Sequence, residues 1–358
     1  MSWRVSVPPV TRILLGLILI FSFLYNLARW RWSQTNGTTP SPTSAPLAPY
    51  LRLVPAMSLL YPWTVVTATL VEQNLVALLV NMATVFFGGK YLERAWGSKG
   101  FSLVLIIATV IPNLLVVPTY VIWAAITGNP DRALTPINGG ITTQAAFLVA
   151  FKQLVPEHTV SIYKGMVKVR VKHFPAIFLA VNTLSGLIFG TDTALILAWY
   201  GLVTTWTYLR FYKRQPDLSG TSTDGRGLKG DASETFAFAT FFPDVVQPPI
   251  ATVCNQIFLV LCNLKLCTPF SDEDIATSNE QAAAREEAGL PTFNRHGRVK
   301  GMGKREEAER RRALALKALD DRLNAASSRS ANPPTTITPS LPPEQPTLGQ
   351  TDYKPEES

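Results

Sequence analysis

Long apolar stretches almost without charge alternate with short polar segments along residues 1–212. A helix that crosses a membrane needs about 20 mostly apolar residues, and six stretches approach or reach that length. The last two are separated only by Gly-Thr-Asp, which predicts a tight hairpin. We therefore predict an all-α membrane protein with six transmembrane helices, at roughly 10–28, 64–88, 101–126, 138–155, 174–190 and 192–212.

The first apolar stretch has a second interpretation as a signal peptide, because Arg4 and Arg12 precede its apolar core. The core is long, however, and no small-residue cleavage motif follows it. We expect an uncleaved membrane anchor, so that the first helix belongs to the membrane domain.

The net charge of +8 falls mostly on the loops and on the C-terminal tail. Basic residues are frequent in the loop 152–173 and just after the sixth stretch, and the Arg29/Arg31 pair argues only weakly for the opposite orientation. The positive-inside rule then places both termini in the cytosol. We expect no nucleic-acid partner, since topology accounts for the charge. This orientation makes the sequon at Asn36 lumenal, and Asn36 is a candidate for N-glycosylation.

The tail is polar, charged and rich in proline, in contrast to the membrane domain 1–212. Helix-forming residues dominate 304–325, and the proline-rich end has a composition typical of disorder. We predict a cytosolic tail that is partly helical and partly disordered. It divides into a juxtamembrane segment 213–268 with an apolar helix, a charged helical segment 269–326, and a disordered Pro/Ser/Thr-rich segment 327–358.

The apolar run 250–267 is too short and too often interrupted by polar residues for a confident seventh span. We interpret it as a helix that lies on the cytosolic membrane face or packs on the membrane domain. Its cysteines, Cys254, Cys262 and Cys267, form no CxxC pair and are far from every histidine, so we expect no metal or cofactor. They are either small buried hydrophobic residues or acylation sites.

The most specific motif lies between residues 61 and 101. An asparagine inside an apolar helix needs a hydrogen-bond partner, and glycines let neighbouring helices approach. The motif consists of Asn81, Gly88-Gly89, Glu93 and Gly97-Ser98. This order and spacing resembles the rhomboid superfamily, which contains intramembrane proteases, derlins and non-proteolytic relatives. The resemblance implies a rhomboid-like bundle of six transmembrane helices.

The resemblance also indicates where protease chemistry would lie: a Gly-x-Ser-Gly motif opening the fourth span and a histidine in the sixth. Here Gly140-Ile141-Thr142-Thr143 stands at the first position, and the sixth stretch contains no histidine. A hydroxyl needs a positioned base to act as a nucleophile. Glu72 and Glu93 are expected near the membrane boundaries, poorly placed to serve Thr142. We therefore expect that the protein is not an enzyme.

The polar start of the fourth span then has a structural interpretation, because small residues let helix backbones pack closely in a membrane. A retained groove for a client helix is the alternative. The G-x-x-x-G pair in the fifth span also permits self-association without requiring it. The predicted packing residues are Gly139, Gly140, Thr142, Gly186 and Gly190.

Three further blocks narrow the resemblance: AFLVAFKQLVPEH, FAFATFFP and ERRRALALKALDDRL. Their order resembles the transmembrane protein 115 family of eukaryotic rhomboid-like proteins, over about residues 50–325. That resemblance implies a non-proteolytic Golgi membrane protein linked to Golgi-to-ER retrograde transport. Its partners would be the lipid bilayer and cytosolic Golgi trafficking or tethering machinery recruited by the tail. A derlin-like client-handling factor of the ER membrane is the alternative. A transporter is disfavoured, because the spans lack paired charges and an internal repeat.

Overall fold

The computed structural model describes residues 7–36, 48–156, 158–162, 167–214, 230–263 and 270–288. All of them belong to one unit, Met1–Leu290. The predicted helix at 304–325 and the predicted disordered end lie outside the described residues. The helices are α1 (Pro9–Asn36), α2 (Ala48–Leu51), α3 (Thr64–Thr67), α4 (Leu75–Thr84), α5 (Lys90–Thr127), α6 (Ile141–Leu154), α7 (Phe174–Phe189), α8 (Asp192–Thr207), α9 (Gln247–Asn263) and α10 (Asp272–Ala288).

Three helical stretches of the described residues are long and apolar enough to cross a membrane: Pro9–Thr35, Leu75–Thr127 and Val171–Phe189. The second stretch runs through α4 and α5, and its backbone leaves helical geometry at Gly97 (φ 74°, ψ 162°). The helices α6 and α8, of 14 and 16 residues, are shorter. The chain is mostly helical, as predicted, and the count of six spans stays a prediction.

The loop between α6 and α7 holds a small sheet that the predicted all-α class did not include. This loop contains β1 (Thr159–Ile162) and β2 (Val167–Arg170), which pair antiparallel. The Val-Lys-Val-Arg sequence of β2 alternates apolar and basic residues, which is the period of a strand. A two-stranded hairpin is only marginally stable alone. Here the N–H of Val171 donates to the carbonyl of His158 at 2.9 Å, which closes the hairpin at its base.

Two glycines end long helices in the left-handed conformation. Gly128 follows α5 with φ 65°, and Gly190 follows α7 with φ 67°. Glycine adopts this conformation without a Cβ clash, which is why it commonly ends helices. Among the described residues, no side chain or distant backbone lies within 4 Å of the Cβ position at Gly190. The geometry therefore gives Gly190 a role in reversing the chain at the predicted hairpin, in place of the predicted helix packing.

The centre of the bundle is the pair α6 and α8, against which α5 and α7 pack. Small side chains on α6 allow this approach, and Ala145, Ala146 and Ala150 are at most 1% exposed. The outer helices instead present large apolar side chains, among them Ile13, Leu79, Ile106 and Val181. We expect this apolar belt to face lipid, because exposing so many large apolar side chains to water would be unfavourable.

The glycine pair of the motif lies in the π turn Val85–Gly89 between α4 and α5, and two other helices contact this turn. A Cβ added at Gly88 would lie 2.7 Å from the ring of Phe147 on α6. A Cβ added at Gly89 would lie 3.2 Å from the side chain of Thr11 on α1. Real Cβ contacts at these distances force the neighbour to move. The two glycines therefore seat α6 on one side and α1 on the other.

Glu93, only 3% exposed, holds the first turn of α1. Its carboxylate accepts from the N–H groups of Val10 and Thr11 at 3.0 and 2.8 Å, and from the Thr11 hydroxyl at 2.8 Å. The hydroxyl of Ser98 donates to the same carboxylate at 2.7 Å, after the chain turns at Gly97. The first N–H groups of a helix lack intrahelical acceptors and favour a negative charge. We call this arrangement the Glu93 clamp.

Residues 230–241, which we call the cap, fold back onto the ends of α6 and α8. The guanidinium of Arg210 donates to the carbonyls of Asp231 and Ser233, and the indole of Trp206 donates to the carbonyl of Phe236 at 3.0 Å. From α6, the amine of Lys152 donates to the Thr240 hydroxyl at 2.7 Å. Trp206 of α8 and Arg210, just after α8, thus satisfy backbone carbonyls of the cap, and Lys152 of α6 holds one of its side chains.

Asp231 is the buried centre of the cap, with 1% of its surface exposed. One carboxylate oxygen accepts from Gln153 at 2.8 Å and from Arg285 of α10 at 3.1 Å. The other accepts from the hydroxyl of Ser233 at 2.6 Å. A single carboxylate therefore joins α6, the cap and α10.

We expect Asp231→Asn to loosen the cap and α10 while the helical bundle stays folded. The amide keeps the shape but removes the charge, which weakens the bond to Arg285 and turns one acceptor into a donor; the expected loss is about 2 kcal/mol. Hydrogen–deuterium exchange in detergent would show faster exchange in 230–241 and α10 and unchanged exchange in α6. Glu234→Gln makes the same chemical change at an exposed position of the cap and is expected to have no effect. Equal exchange in the two variants would contradict this role.

Candidate functional site

The start of α6 lies against a carboxylate. Gly139 has φ 108°, and its N–H donates to the carbonyl of Ala68 at 3.0 Å. The next N–H, of Gly140, donates to Oε1 of Glu72 at 2.8 Å. The positive end of a helix dipole stabilises an anion in this position. The glycines that open the predicted fourth span therefore form one side of an anion site, which the protein's own Glu72 occupies.

Asn81 of α4 forms the other side of this site. Its side chain is 1% exposed, and its Nδ2 donates to the same Oε1 of Glu72 at 3.0 Å. The side chain packs against Gly140, where a Cβ would overlap its amide group. The hydrogen-bond partner that an asparagine in an apolar helix requires is thus Glu72.

Glu72 lies beside the start of α6, but it does not contact the hydroxyl of Thr142, which has no hydrogen-bond partner among the described residues. The predicted second span, 64–88, is not one helix, because α3 and a short 3₁₀ turn fold back before α4 begins at Leu75. Two side chains of α1 hold the connecting backbone. The hydroxyl of Ser22 accepts from the N–H of Glu72 at 2.9 Å, and Asn26 donates to the carbonyl of Glu72 at 3.0 Å. This fold-back places Glu72 beside Gly140.

A second polar network lies next to Glu72 and fixes the strand-like segment before α6. Arg52, 5% exposed, donates to the side-chain oxygen of Asn138 at 3.0 Å, to the hydroxyl of Tyr25 at 3.1 Å and to the carbonyl of Pro136 at 3.0 Å. Burial lowers the pKa of Arg52 below its ordinary value, while the hydroxyl of Tyr25 acts in the opposite direction. The network holds the loop after α2 against residues 136–138.

A cavity of about 570 Å³ opens beside the carboxylate, between α4 and the start of α6. Glu72, Asn138 and Gln144 supply polar groups to its wall, and Val76 and Val80 line the side of α4. These valines are 74% and 51% exposed, so the cavity opens toward the apolar surface of the bundle. Its wall is therefore polar beside the start of α6 and apolar along α4.

Thr142, which stands where a protease would carry its nucleophile, is fully buried. Within the described residues its hydroxyl has no hydrogen-bond partner. The helix α8 covers it, since a Cβ added at Gly201 would lie 2.9 Å from the Cα of Thr142. His158 and His173 lie in the loop between α6 and α7, and His296 lies outside the described residues. The side chain is thus packed against a helix and not aligned with a base.

Two predicted residues, Gly186 and Asn36, lie away from this site. A Cβ at Gly186 would lie 2.8 Å from Leu195, so α7 and α8 approach closely there. Asn36 is the last residue of α1, and the rest of its sequon lies outside the described residues. Among the described residues, no group of three His, Cys, Asp or Glu side chains could hold a metal ion. The sequence did not single out Gly201, and it did not place Glu72 beside Gly140, because neither residue belongs to a motif.

Comparison with known proteins supports the resemblance read from the motifs. The profile of a family described as "Eukaryotic integral membrane protein (DUF1751)" matches residues 12–325. Transmembrane protein 115 of Mus musculus is 30% identical over 276 residues, which are 76% of this chain and 70% of the mouse protein. The chain belongs to the transmembrane protein 115 family.

Two further members of this family carry related names. The transmembrane protein 115 homolog of Saccharomyces cerevisiae is 28% identical over 291 residues, 77% of this chain and 80% of the yeast protein. Rhomboid-like protein 19 of Arabidopsis thaliana is 28% identical over 277 residues, 77% of this chain and 81% of the plant protein. The prediction of a rhomboid-like membrane protein of the transmembrane protein 115 family is confirmed.

In this member of the transmembrane protein 115 family, we expect Glu72→Leu to lower the free energy of unfolding by about 2–3 kcal/mol. Leucine leaves the N–H of Gly140 and the amide of Asn81 buried without their acceptor. Glu72→Gln keeps one acceptor oxygen and is expected to lose about 1 kcal/mol. Thermal unfolding in detergent would measure both. Asn74→Ala is the control, because Asn74 borders the same cavity but makes no capping hydrogen bond to α4; an equal loss in that variant would contradict the role of Glu72.

Proposed function

We propose that this protein is a non-catalytic, rhomboid-like scaffold of the Golgi membrane that supports Golgi-to-ER retrograde vesicle transport. The observation that carries the non-catalytic part is the hydrogen bond from the N–H of Gly140 to Glu72, at 2.8 Å. The membership in the transmembrane protein 115 family supports the rest, because the family resemblance implies this compartment and this process.

The requirements of acyl transfer explain why the hydrogen bond between Gly140 and Glu72 argues against catalysis. A serine- or threonine-type nucleophile needs a base for its hydroxyl and free N–H donors for the oxyanion that develops. Here the N–H of Gly140 and the side-chain amide of Asn81 are bound to a carboxylate from the same chain. A second negative oxygen in that place would be repelled by Glu72. The site therefore favours the carboxylate of Glu72 over the oxyanion of a reaction intermediate.

The topology that we propose has six spans and both termini in the cytosol. It uses α1, the two halves of the Leu75–Thr127 stretch on either side of Gly97, α6, α7 and α8. The cap then lies on the cytosolic side, with Lys152 and Arg210 in contact with it. The C-terminal tail would recruit trafficking or tethering machinery from the cytosol.

A cellular experiment tests this proposal. A C-terminally tagged chain is expected in the Golgi, with the tag accessible to protease in sealed membranes, and an N-terminal tag is expected to be accessible as well. A reticular location would favour the derlin-like alternative in the ER. A protected C-terminal tag would overturn the six-span topology and the recruitment of cytosolic partners with it.

The non-catalytic part has its own test, Thr142→Val. Valine keeps the shape of threonine and removes only the hydroxyl, so packing against Gly201 is retained. In cells that lack the chain, this variant is expected to restore retrograde return of a Golgi cargo as well as the wild type does. Loss of transport with an unchanged amount and unchanged thermal stability of the protein would mean that the hydroxyl has a chemical role.

A further inference from the structure

The helix α9 is exposed along one apolar stripe beyond the last central helix. Val253, Ile257 and Val260 follow one another at intervals of four and three residues and are 55%, 54% and 56% exposed. This spacing places them on one face of a helix. Val246, just before α9, is 44% exposed and extends the same stripe by another two turns.

The other faces of α9 are different in character. The inner face carries Cys254, Phe258 and Cys262, which are partly buried and four residues apart. The outer polar face carries Thr252, Asn255, Gln256 and Asn263, all exposed, with Leu259 as an apolar exception. One face of α9 therefore packs on protein and a second, polar face is exposed to solvent. The third face is apolar and is not covered by the described residues.

An aromatic stack joins α9 to the end of α8. The ring of Phe258 stacks on Phe211 with centroids 6.2 Å apart, and Phe270 completes the stack at 5.5 Å from Phe211. Phe211 belongs to the π turn Tyr208–Tyr212 that ends α8. The helix α9 therefore lies at the level where α8 ends.

That level has the residues of a membrane boundary. Tyr212 is 54% exposed, and Arg214, two residues further along the chain, is exposed as well. Tyrosine is enriched where a membrane helix meets the headgroups, and basic residues are enriched just beyond, on the cytosolic side. The apolar stripe of α9 is thus placed beside the lipid-facing surface of the bundle.

Lipid fits the stripe better than a second protein does. Residues 247–263 carry no charged side chain that would select a partner surface. A helix of 17 residues is about 25 Å long, which is short for a crossing, and its polar face and packed inner face oppose one. A helix with an apolar face and a polar face at this level lies in the interface plane of a bilayer.

We propose that α9 is an interfacial helix whose stripe of Val246, Val253, Ile257 and Val260 is inserted in the cytosolic leaflet. The partner of this surface is the acyl-chain boundary of the bilayer. The insertion would hold the cap and α10 against the membrane face, and it does not depend on the proposed role in transport.

Site-directed spin labelling of the full chain in phosphatidylcholine/phosphatidylserine nanodiscs tests the proposal. The three cysteines are replaced by alanine, and a label is introduced at Ile257 or, as the matched control two residues away, at Asn255. Oxygen concentrates in the lipid and a nickel chelate in the water. The ratio of oxygen to nickel collision rates is expected to be several-fold higher at position 257 than at position 255.

Two outcomes would overturn the proposal. Equal ratios at the two positions would mean that the stripe is in water, and a label at 257 shielded from both reagents would mean that protein covers it. A photo-crosslinking residue, benzoylphenylalanine, at 257 in the chain with its native cysteines gives an independent result. A lipid adduct there and none at 255 is expected, whereas a protein adduct at 257 would contradict lipid insertion.

Discussion

Replacing Glu93 with alanine is expected to lower the free energy of unfolding by about 3–4 kcal/mol. The substitution leaves the N–H groups of Val10 and Thr11 and the hydroxyls of Thr11 and Ser98 without the carboxylate that they contact. Hydrogen bonds to a charged group contribute about 1.5–3 kcal/mol each, and they are not additive when they share one acceptor. The start of α1 is expected to detach before the rest of the bundle unfolds.

Thermal or denaturant unfolding in detergent would measure this loss. Glu280→Ala, which removes a carboxylate from an exposed position of α10, is the control and is expected to change stability by less than about 0.5 kcal/mol. Thr11→Val removes one hydroxyl at nearly constant volume and is expected to lose about 1 kcal/mol. If Glu93→Ala were as stable as Glu280→Ala, the clamp would not hold α1.

Gly140→Val is the second substitution with a large expected effect. The backbone of Gly140 has φ −83°, which any residue adopts, so the effect comes from space and not from backbone strain. A side chain there would overlap the amide of Asn81, which has to leave its hydrogen bond to Glu72. Overpacking with loss of a buried hydrogen bond is expected to lower stability by about 3 kcal/mol.

The matched control is Gly16→Ala in α1, where no side chain or distant backbone of the described residues lies within 4 Å of the added Cβ. Alanine in an open helical position is expected to be neutral or to stabilise by up to about 1 kcal/mol. Unfolding temperature and the fraction of monodisperse protein after detergent extraction would report both variants. A Gly140→Val protein as stable as the wild type would mean that Asn81 does not pack on the start of α6.

The rhomboid-like motif could be read from the sequence, but the roles of its residues could not. Glu93 and Thr11 are separated by 82 residues, and no local pattern indicates that a carboxylate after α4 satisfies the first turn of α1. The order of Asn81, Gly88-Gly89 and Glu93 indicated a family. Only the contacts between helices in the structure explain what each of these residues does.

The position of Glu72 shows that an apolar run does not reveal where the chain turns back. The run 64–88 has the composition of a single membrane helix, and hydropathy averages over the point where the chain turns back. Hydrogen bonds from the side chains of Ser22 and Asn26 decide that turn, and they come from a helix 46 to 50 residues earlier. By contrast, the alternation in Val167–Arg170 was a strand signal visible in the sequence.

The Glu93 clamp also sets an order of events during synthesis. The helix α1 is made first, yet the carboxylate that its first turn needs lies 82 residues further along the chain. At roughly 5–20 residues per second, the ribosome needs roughly 4–16 s to supply it. Until then the leading N–H groups of α1 need another acceptor. A nascent chain that stalls before Glu93 would therefore carry a first helix whose leading N–H groups lack their native acceptor.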